Sequence, residues 1–171
     1  STIDKYIYVI VNERFDDKIY INYSQKEIVD SVDEIKHCLV REAMKTTGIT
    51  SGVEITTLAD VPSEGSGLGS SSSVTVGLLN ALYTFRGDVQ PAGRLAEEAS
   101  EIEIERCGKP VGKQDQYIAA YGGLRCFDFH KDGTVDAERL PLDNDQKRYL
   151  SENLMLIYTA RTRSADGILA E

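Results

Sequence analysis

The sequence predicts a mixed α/β or α+β domain whose sheet is mixed or largely antiparallel. Two patterns predict it. Short β-branched and aromatic runs are interspersed with segments whose apolar residues recur at helical spacing. The 171 residues also hold no internal repeat, no low-complexity tail and no clear linker, so one domain accounts for them.

In chain order, residues 5–11 and 18–23 read as two strands joined through the polar turn Arg14-Phe15-Asp16-Asp17, a β-hairpin. Ser24-x-x-Glu27 has the form of a capping box. Ile28, Val32, Ile35, Leu39 and Ala43 follow at helical spacing, and Gly48 fits a C-cap, so a helix is predicted over about residues 25–47. Residues 53–57 alternate as a strand. A Gly/Ser-rich stretch, 64–73, leads into an apolar helix through Val74, Leu78, Leu79 and Leu82 to about Phe85. A third helix runs from Pro91 to Arg106 with Leu95, Ala99 and Ile102 on one face, and a fourth begins near Asp115. Strands are predicted at residues 124–129, 135–140 and 154–159.

Composition removes several classes of function. With 41% apolar and 27% charged residues the chain is neither disordered nor fibrous, and it is long enough to need no disulfide or metal staple. A net charge of −9 argues against a nucleic-acid partner or an anionic membrane surface. No apolar run approaches membrane-spanning length, and the start, Ser1-Thr2-Ile3-Asp4-Lys5, lacks a signal-peptide pattern. Cys38, Cys107 and Cys126 are odd in number, far apart and without a C-x-x-C pair, which predicts a reducing, cytoplasmic setting. His37 and His130, the two histidines, are far apart, against a zinc site or a Ser-His-Asp or Cys-His hydrolase.

The informative segment is the loop Val61-Pro62-Ser63-Glu64-Gly65-Ser66-Gly67-Leu68-Gly69-Ser70-Ser71-Ser72-Ser73, between a strand and an apolar helix. Glycines let backbone approach a ligand closely. The N-terminus of the next helix offers unpaired N–H groups and partial positive charge, which suit a phosphate. The serines add hydroxyl donors and a possible magnesium ligand. A Walker-type loop is a poor fit because no lysine follows Gly69. A dinucleotide fingerprint needs G-x-G-x-x-G, whereas Gly65, Gly67 and Gly69 give G-x-G-x-G, although Asp88 lies at a suitable distance.

This loop resembles that of the GHMP small-molecule kinases, the galactokinase, homoserine kinase and mevalonate kinase group, whose phosphate motif is P-x-x-x-G-L-G-S-S-x-x. Pro62, Gly67, Leu68, Gly69, Ser70 and Ser71 supply its fixed residues, with four residues here between the proline and the glycine. The stretch from Glu105 to Gln116 resembles the segment in which the family keeps a magnesium-binding glutamate and a catalytic aspartate, and Gly122-Gly123 follows at a familiar distance. Within the family, Thr2–Tyr6, Gly112–Tyr117 and Thr162–Asp166 look most similar to D-glycero-D-manno-heptose 7-phosphate kinases.

The resemblance implies a two-layer fold like ribosomal protein S5 domain 2, with ATP and Mg²⁺ as cofactors. Residues 1–171 would be the N-terminal, nucleotide-binding domain, incomplete at its N-terminus and without the C-terminal domain, and expected to turn over little or nothing alone. The phosphate cradle would be Pro62, Gly65, Ser66, Gly67, Leu68, Gly69, Ser70, Ser71 and Ser72. Ser71 and Glu105 would hold the metal, with Glu101 and Glu103 near enough to leave the choice of glutamate open. Asp115 would accept or orient the acceptor's proton. Lys113 is a candidate phosphate contact, and Arg161 and Arg163 could clamp a sugar phosphate bidentately. Tyr6, Tyr8, Tyr20 and Tyr23 read as packing residues rather than an adenine pocket.

The function so implied is phosphorylation of a sugar hydroxyl by Mg²⁺·ATP, with O1 of D-glycero-D-manno-heptose 7-phosphate the favoured acceptor and the 1,7-bisphosphate the product. Another kinase of the group, galactokinase-like or fucokinase-like, stands beside it, as does a catalytically silent nucleotide- or sugar-binding relative. The partner is a small sugar phosphate, with no nucleic acid and no membrane. The oligomeric state is left open, a homodimer included.

Overall fold

The computed structural model describes residues 1–61 and 67–157. It is the mixed α/β architecture expected. Strands β1 (Ile7–Glu13), β2 (Ile19–Asn22), β3 (Lys26–Val29) and β4 (Val53–Ala59) form one sheet in the order β1-β4-β2-β3. Helices α1 (Cys38–Thr47) and α2 (Ser70–Phe85) share its core, and α3 (Ala92–Glu101) and α4 (Gln114–Tyr121) pack together and against α2. Strands β5 (Arg125–Phe129) and β6 (Val135–Arg139) form a separate hairpin, followed by α5 (Asn144–Glu152).

The expected hairpin between the first two strands does not form. Instead β4 inserts between them, antiparallel to β1 and parallel to β2. Val53 and Ile55 of β4 are 1% and 0% exposed, and a central position with a partner on each edge is what buries them. The Arg14–Asp17 turn serves this arrangement. Arg14 N–H donates to Gly52 C=O and Gly52 N–H to Asp17 C=O, which ties the end of β1 and the start of β2 to the chain entering β4.

The long helix predicted over 25–47 is also corrected. Residues 26–29 form β3, Val32–Glu34 a short 3-10 turn, and α1 starts only at Cys38. Glu27 does not close a capping box with Ser24. Its buried carboxylate accepts N–H groups from Lys36 at 2.7 Å and His37 at 3.1 Å, and the Tyr23 hydroxyl at 3.0 Å. His37 caps α1 instead, with Nδ1 accepting Val40 N–H, and Gly48 closes the helix in the left-handed conformation as expected.

The core lies between the sheet and the helices. Ile19, Ile21 and Ile55 face Leu39, Ala43, Met44, Leu78, Leu79 and Leu82, all 5% exposed or less. Each such side chain contributes about 1.5–3 kcal/mol of transfer free energy. Gly77 lets α2 lie close on β1, since a Cβ there would meet Val9 Cγ2 at 3.0 Å. The β5–β6 hairpin docks on α4 through aromatic rings, Tyr117 edge-on to Phe127 and Phe129 at 5.9 and 5.6 Å.

Helix α3 passes into a π turn, Ile102–Arg106, so the third helix spans the range expected with a widened last turn. Helix α5, opened by a capping box of Asp143 and Gln146, was not anticipated. Of the last predicted strand, residues 154–157 adopt no regular structure, and 158–159 lie outside the described residues. Cys38 and Cys107, expected to be unpaired, are joined in a disulfide, while Cys126 is free and exposed. No helix among the described residues is long and apolar enough to cross a membrane.

Candidate active site at the glycine-serine loop

The loop enters α2 through two left-handed glycines, Gly67 and Gly69, each at φ 67°. Gly69 is the N-cap and brings no side chain to the first turn, so no capping oxygen comes from it. Pro62, Gly65 and Ser66, expected in the same cradle, lie outside the described residues. Ser70 and Ser72 are buried, while Ser71 is half-buried at the start of the helix.

Two cavities flank this helix end and share Ile7, Val61 and Ser70 in their walls. The smaller, about 290 Å³, joins Gly67, Leu68, Gly69 and Ser73 to Asp115 and to the N-terminal segment at Thr2, Lys5 and Tyr6. The larger, about 550 Å³, joins Ser71 and Lys109 to an apolar wall that includes Leu39, Leu58, Ala59 and Val74. Tyr23 and His37 complete that wall, their rings edge to face at 4.7 Å. Tyr23, expected only to pack, therefore also lines a cavity.

Asp115 stands in the first turn of α4, half-buried, against Gly69. The next residue, Gln116, is fully buried. With its amide turned to match its neighbours, it donates to the Lys113 and Gly112 carbonyls and accepts from Ser72 Oγ at 3.2 Å. This bond ties the Asp115 turn to the first turn of α2.

On the other flank, Ser71 Oγ donates to Glu103 Oε2 at 2.6 Å and accepts from Lys109 Nζ at 2.7 Å, with Lys109 Nζ 3.9 Å from Glu103 Oε2. Glu103 is 1% exposed. The favoured Glu105 is not at this place. It is exposed and lines a separate depression with Glu97, Glu101 and Lys113. Helical phase is the reason: Glu103 follows the buried Ala96 and Ala99 by seven and four residues and shares their face, and Glu105 does not. Lys113 is likewise exposed and lines neither cavity beside the loop, so the structure does not bring it to the cradle. Arg161 and Arg163 lie outside the described residues.

Lys109 had no sequence signal beyond its place near Gly108. Its position follows from the backbone: Gly108 takes φ 65°, and Lys109 N–H donates to Glu103 C=O at 2.9 Å, which returns the chain to the glutamate. The site also perturbs its titrating neighbours. Burial lowers the His37 pKa, against the pull of Glu27, and burial followed by Glu27 raises that of Tyr23.

The donors at Ser71 and Glu103 are a hydroxyl and a carboxylate, which suit a hard cation such as Mg²⁺ that completes its shell with phosphate oxygens and water. Among the described residues no three His, Cys, Asp or Glu side chains gather to hold a metal unaided.

Comparison with known proteins shows the family to which the chain belongs. The family model "GHMP kinases N terminal domain" matches residues 21–123. A D-glycero-alpha-D-manno-heptose 7-phosphate kinase of Campylobacter jejuni is 32% identical over 180 aligned positions, covering 98% of this chain and 53% of that protein. A solved structure, a D-glycero-D-manno-heptose 1-phosphate kinase from Bacteroides thetaiotaomicron, superposes with a TM-score of 0.78 at 26% identity over 88% of this chain and 52% of its own. A second, assigned as a sugar kinase from Campylobacter jejuni, gives 0.72 at 28% over 82% and 46%. The chain spans about half the length of these relatives.

Proposed function

This chain belongs to the GHMP kinase N-terminal domain family, and from that premise we propose that it is the nucleotide-binding part of an ATP-dependent sugar kinase. The observation that carries the reading is the placement of Asp115 in one cavity and of Ser71, bonded to the buried Glu103, in the other, on opposite flanks of one helix N-terminus. The backbone from Gly67 to Ser72 receives the β and γ phosphates, where N–H groups and the helix dipole favour negative charge. The apolar cavity takes the base. The smaller cavity takes the acceptor, with its hydroxyl at Asp115.

Phosphoryl transfer asks the protein for positioning and charge stabilisation. Ser71 and Glu103 would hold Mg²⁺ in this reading, and the ion would supply charge stabilisation to the transferring phosphate. Asp115 orients the acceptor hydroxyl and takes its proton, worth about 10²–10⁴-fold. Gln116 keeps Asp115 in register with the cradle through Ser72. Arg161 and Arg163 stay candidates for clamping the acceptor's own phosphate.

The acceptor we favour is D-glycero-D-manno-heptose 7-phosphate, phosphorylated at O1. Support comes from the 7-phosphate kinase that aligns along nearly the whole chain. The solved relative named as a 1-phosphate kinase makes the position of the existing phosphate the point to test. The decisive experiment is turnover of the intact protein with heptose 7-phosphate, heptose 1-phosphate, galactose and fucose, beside Asp115→Asn. The variant should lose at least about 10²-fold in turnover while binding Mg·ATP as before. Unchanged turnover would remove Asp115 from its role, and preference for another acceptor would replace the heptose assignment.

A further inference from the structure

Glu103 is a carboxylate at 1% exposure, and burying such a group is costly unless it is paired and hydrogen-bonded. Lys109 supplies the pairing: its ammonium touches Ser71 Oγ at 2.7 Å and stands within ion-pair distance of Glu103 Oε2, at 3.9 Å. Ser71 and Glu103 oxygens are 2.6 Å apart, close to the edge of about 3 Å between ligands that share a small octahedral ion at about 2.0–2.1 Å. Any cation held by these two oxygens therefore competes with Lys109 for them.

We propose that Lys109 is the resident counter-ion of the Ser71–Glu103 pair, and that metal-nucleotide binding transfers its ammonium from these oxygens to a nucleotide phosphate. The proposal rests on the nucleotide reading above. Lys109 lines the same cavity as Ser70 and Ser71, where the phosphates would enter, and its side chain is 26% exposed rather than sealed. Its flexible four-carbon stem carries a compact charge with three donors, so it can exchange one set of oxygens for another nearby. A divalent ion at Ser71 and Glu103 repels the ammonium, and the phosphates attract it. In the empty protein Lys109 is a positioning residue that pairs with Glu103 and orients Ser71. In the loaded protein it becomes a phosphate ligand.

The test uses Lys109→Met and Lys109→Arg in the intact protein. Mn²⁺ alone is titrated by electron paramagnetic resonance, and ATP is titrated by calorimetry with Mg²⁺ and again in chelator. Lys109→Met should bind Mn²⁺ at least tenfold more tightly than wild type, because no ammonium competes, and metal-free ATP at least tenfold more weakly. Lys109→Arg should restore ATP binding. A damaged fold does not produce tighter metal binding. Unchanged Mn²⁺ affinity, with wild type binding Mg·ATP normally, overturns the role of Lys109 and leaves the nucleotide reading standing. Wild type that binds no Mg·ATP overturns both. Should Lys109→Met fail to melt cooperatively, Lys109→Gln, which keeps a donor without the charge, carries the same two readouts.

Discussion

Gly69 and Asp115 are in contact across the mouth of the smaller cavity: a Cβ added at Gly69 would stand 3.3 Å from Asp115 Cγ and 3.4 Å from Oδ2. Gly69 also holds φ at 67°, where an L side chain is strained by about 1–2 kcal/mol. Gly67 has the same φ, but no described residue lies within 4 Å of its missing Cβ. The pair separates two effects. Gly67→Ala and Gly69→Ala should lower Tm by similar amounts, a few degrees each. Only Gly69→Ala should also lower kcat/KM by tenfold or more, because it displaces the carboxylate. Equal activity losses would show that backbone strain alone governs the loop.

Glu103 and Glu105 are two residues apart but stand in different surroundings, one 1% exposed against Ser71, the other exposed. Glu103→Gln should weaken Mg·ATP binding at least tenfold, with a smaller loss for ATP in chelator. Glu105→Gln, at the surface, should shift stability by no more than about 0.5 kcal/mol and leave binding unchanged. Calorimetry on the two variants reads this directly. A metal-dependent loss confined to Glu105→Gln would reverse the assignment.

The tight backbone and helix start at the glycine-serine loop were legible in the sequence because that information is local to Gly67, Gly69 and the serines. The start of a helix near Asp115 was legible as well. What failed needed partners distant in sequence. Glu27 sits at a helical capping spacing, yet its carboxylate is claimed by N–H groups nine and ten residues on, which makes its segment a strand. The pairing of β1 and β2 with β4 was decided by burial of Val53 and Ile55, which local alternation does not contain. Among Glu101, Glu103 and Glu105, it is Glu103 that shares the face of Ala96 and Ala99, a helical phase that the motif's pointer to Glu105 overrode.

His37 gives the protein a pH dependence of stability. Its folded pKa is lowered, chiefly by burial and further by Lys109, against Glu27, which favours the charged form. The unfolded chain therefore binds more protons just below the ordinary value near 6.5, and stability falls as pH drops through that range. Protonation of Nδ1 also turns the acceptor of Val40 N–H into a donor and removes the cap of α1. Between pH 7.5 and 5.5 the loss from this group is at most about 1.4 kcal/mol, reached if the folded imidazole takes up no proton. His37→Asn keeps a capping oxygen without the titration. Denaturant unfolding at the two pH values should show a smaller drop in the variant, and an equal drop would place the pH dependence elsewhere.

The disulfide joins Cys38, the first residue of α1, to Cys107, directly after the π turn, across 69 residues of sequence. Closing a loop of that length in the unfolded chain corresponds to a stabilisation of about 4 kcal/mol, with about 2–4 typical of measured bridges. Two residues beyond Cys107 the chain carries Lys109 to Ser71, and Cys38 lines the larger cavity, so the bridge also braces the segment that holds the counter-ion. Thiol titration of the denatured protein should find one reactive cysteine, Cys126, before reduction and three after. Cys38→Ser/Cys107→Ser should lower the midpoint of denaturant unfolding by an amount equivalent to about 2–4 kcal/mol, and reduced wild type should match it. Three thiols without reductant, or a double variant as stable as wild type, would show that the bridge does not form in solution and that packing alone holds the segment.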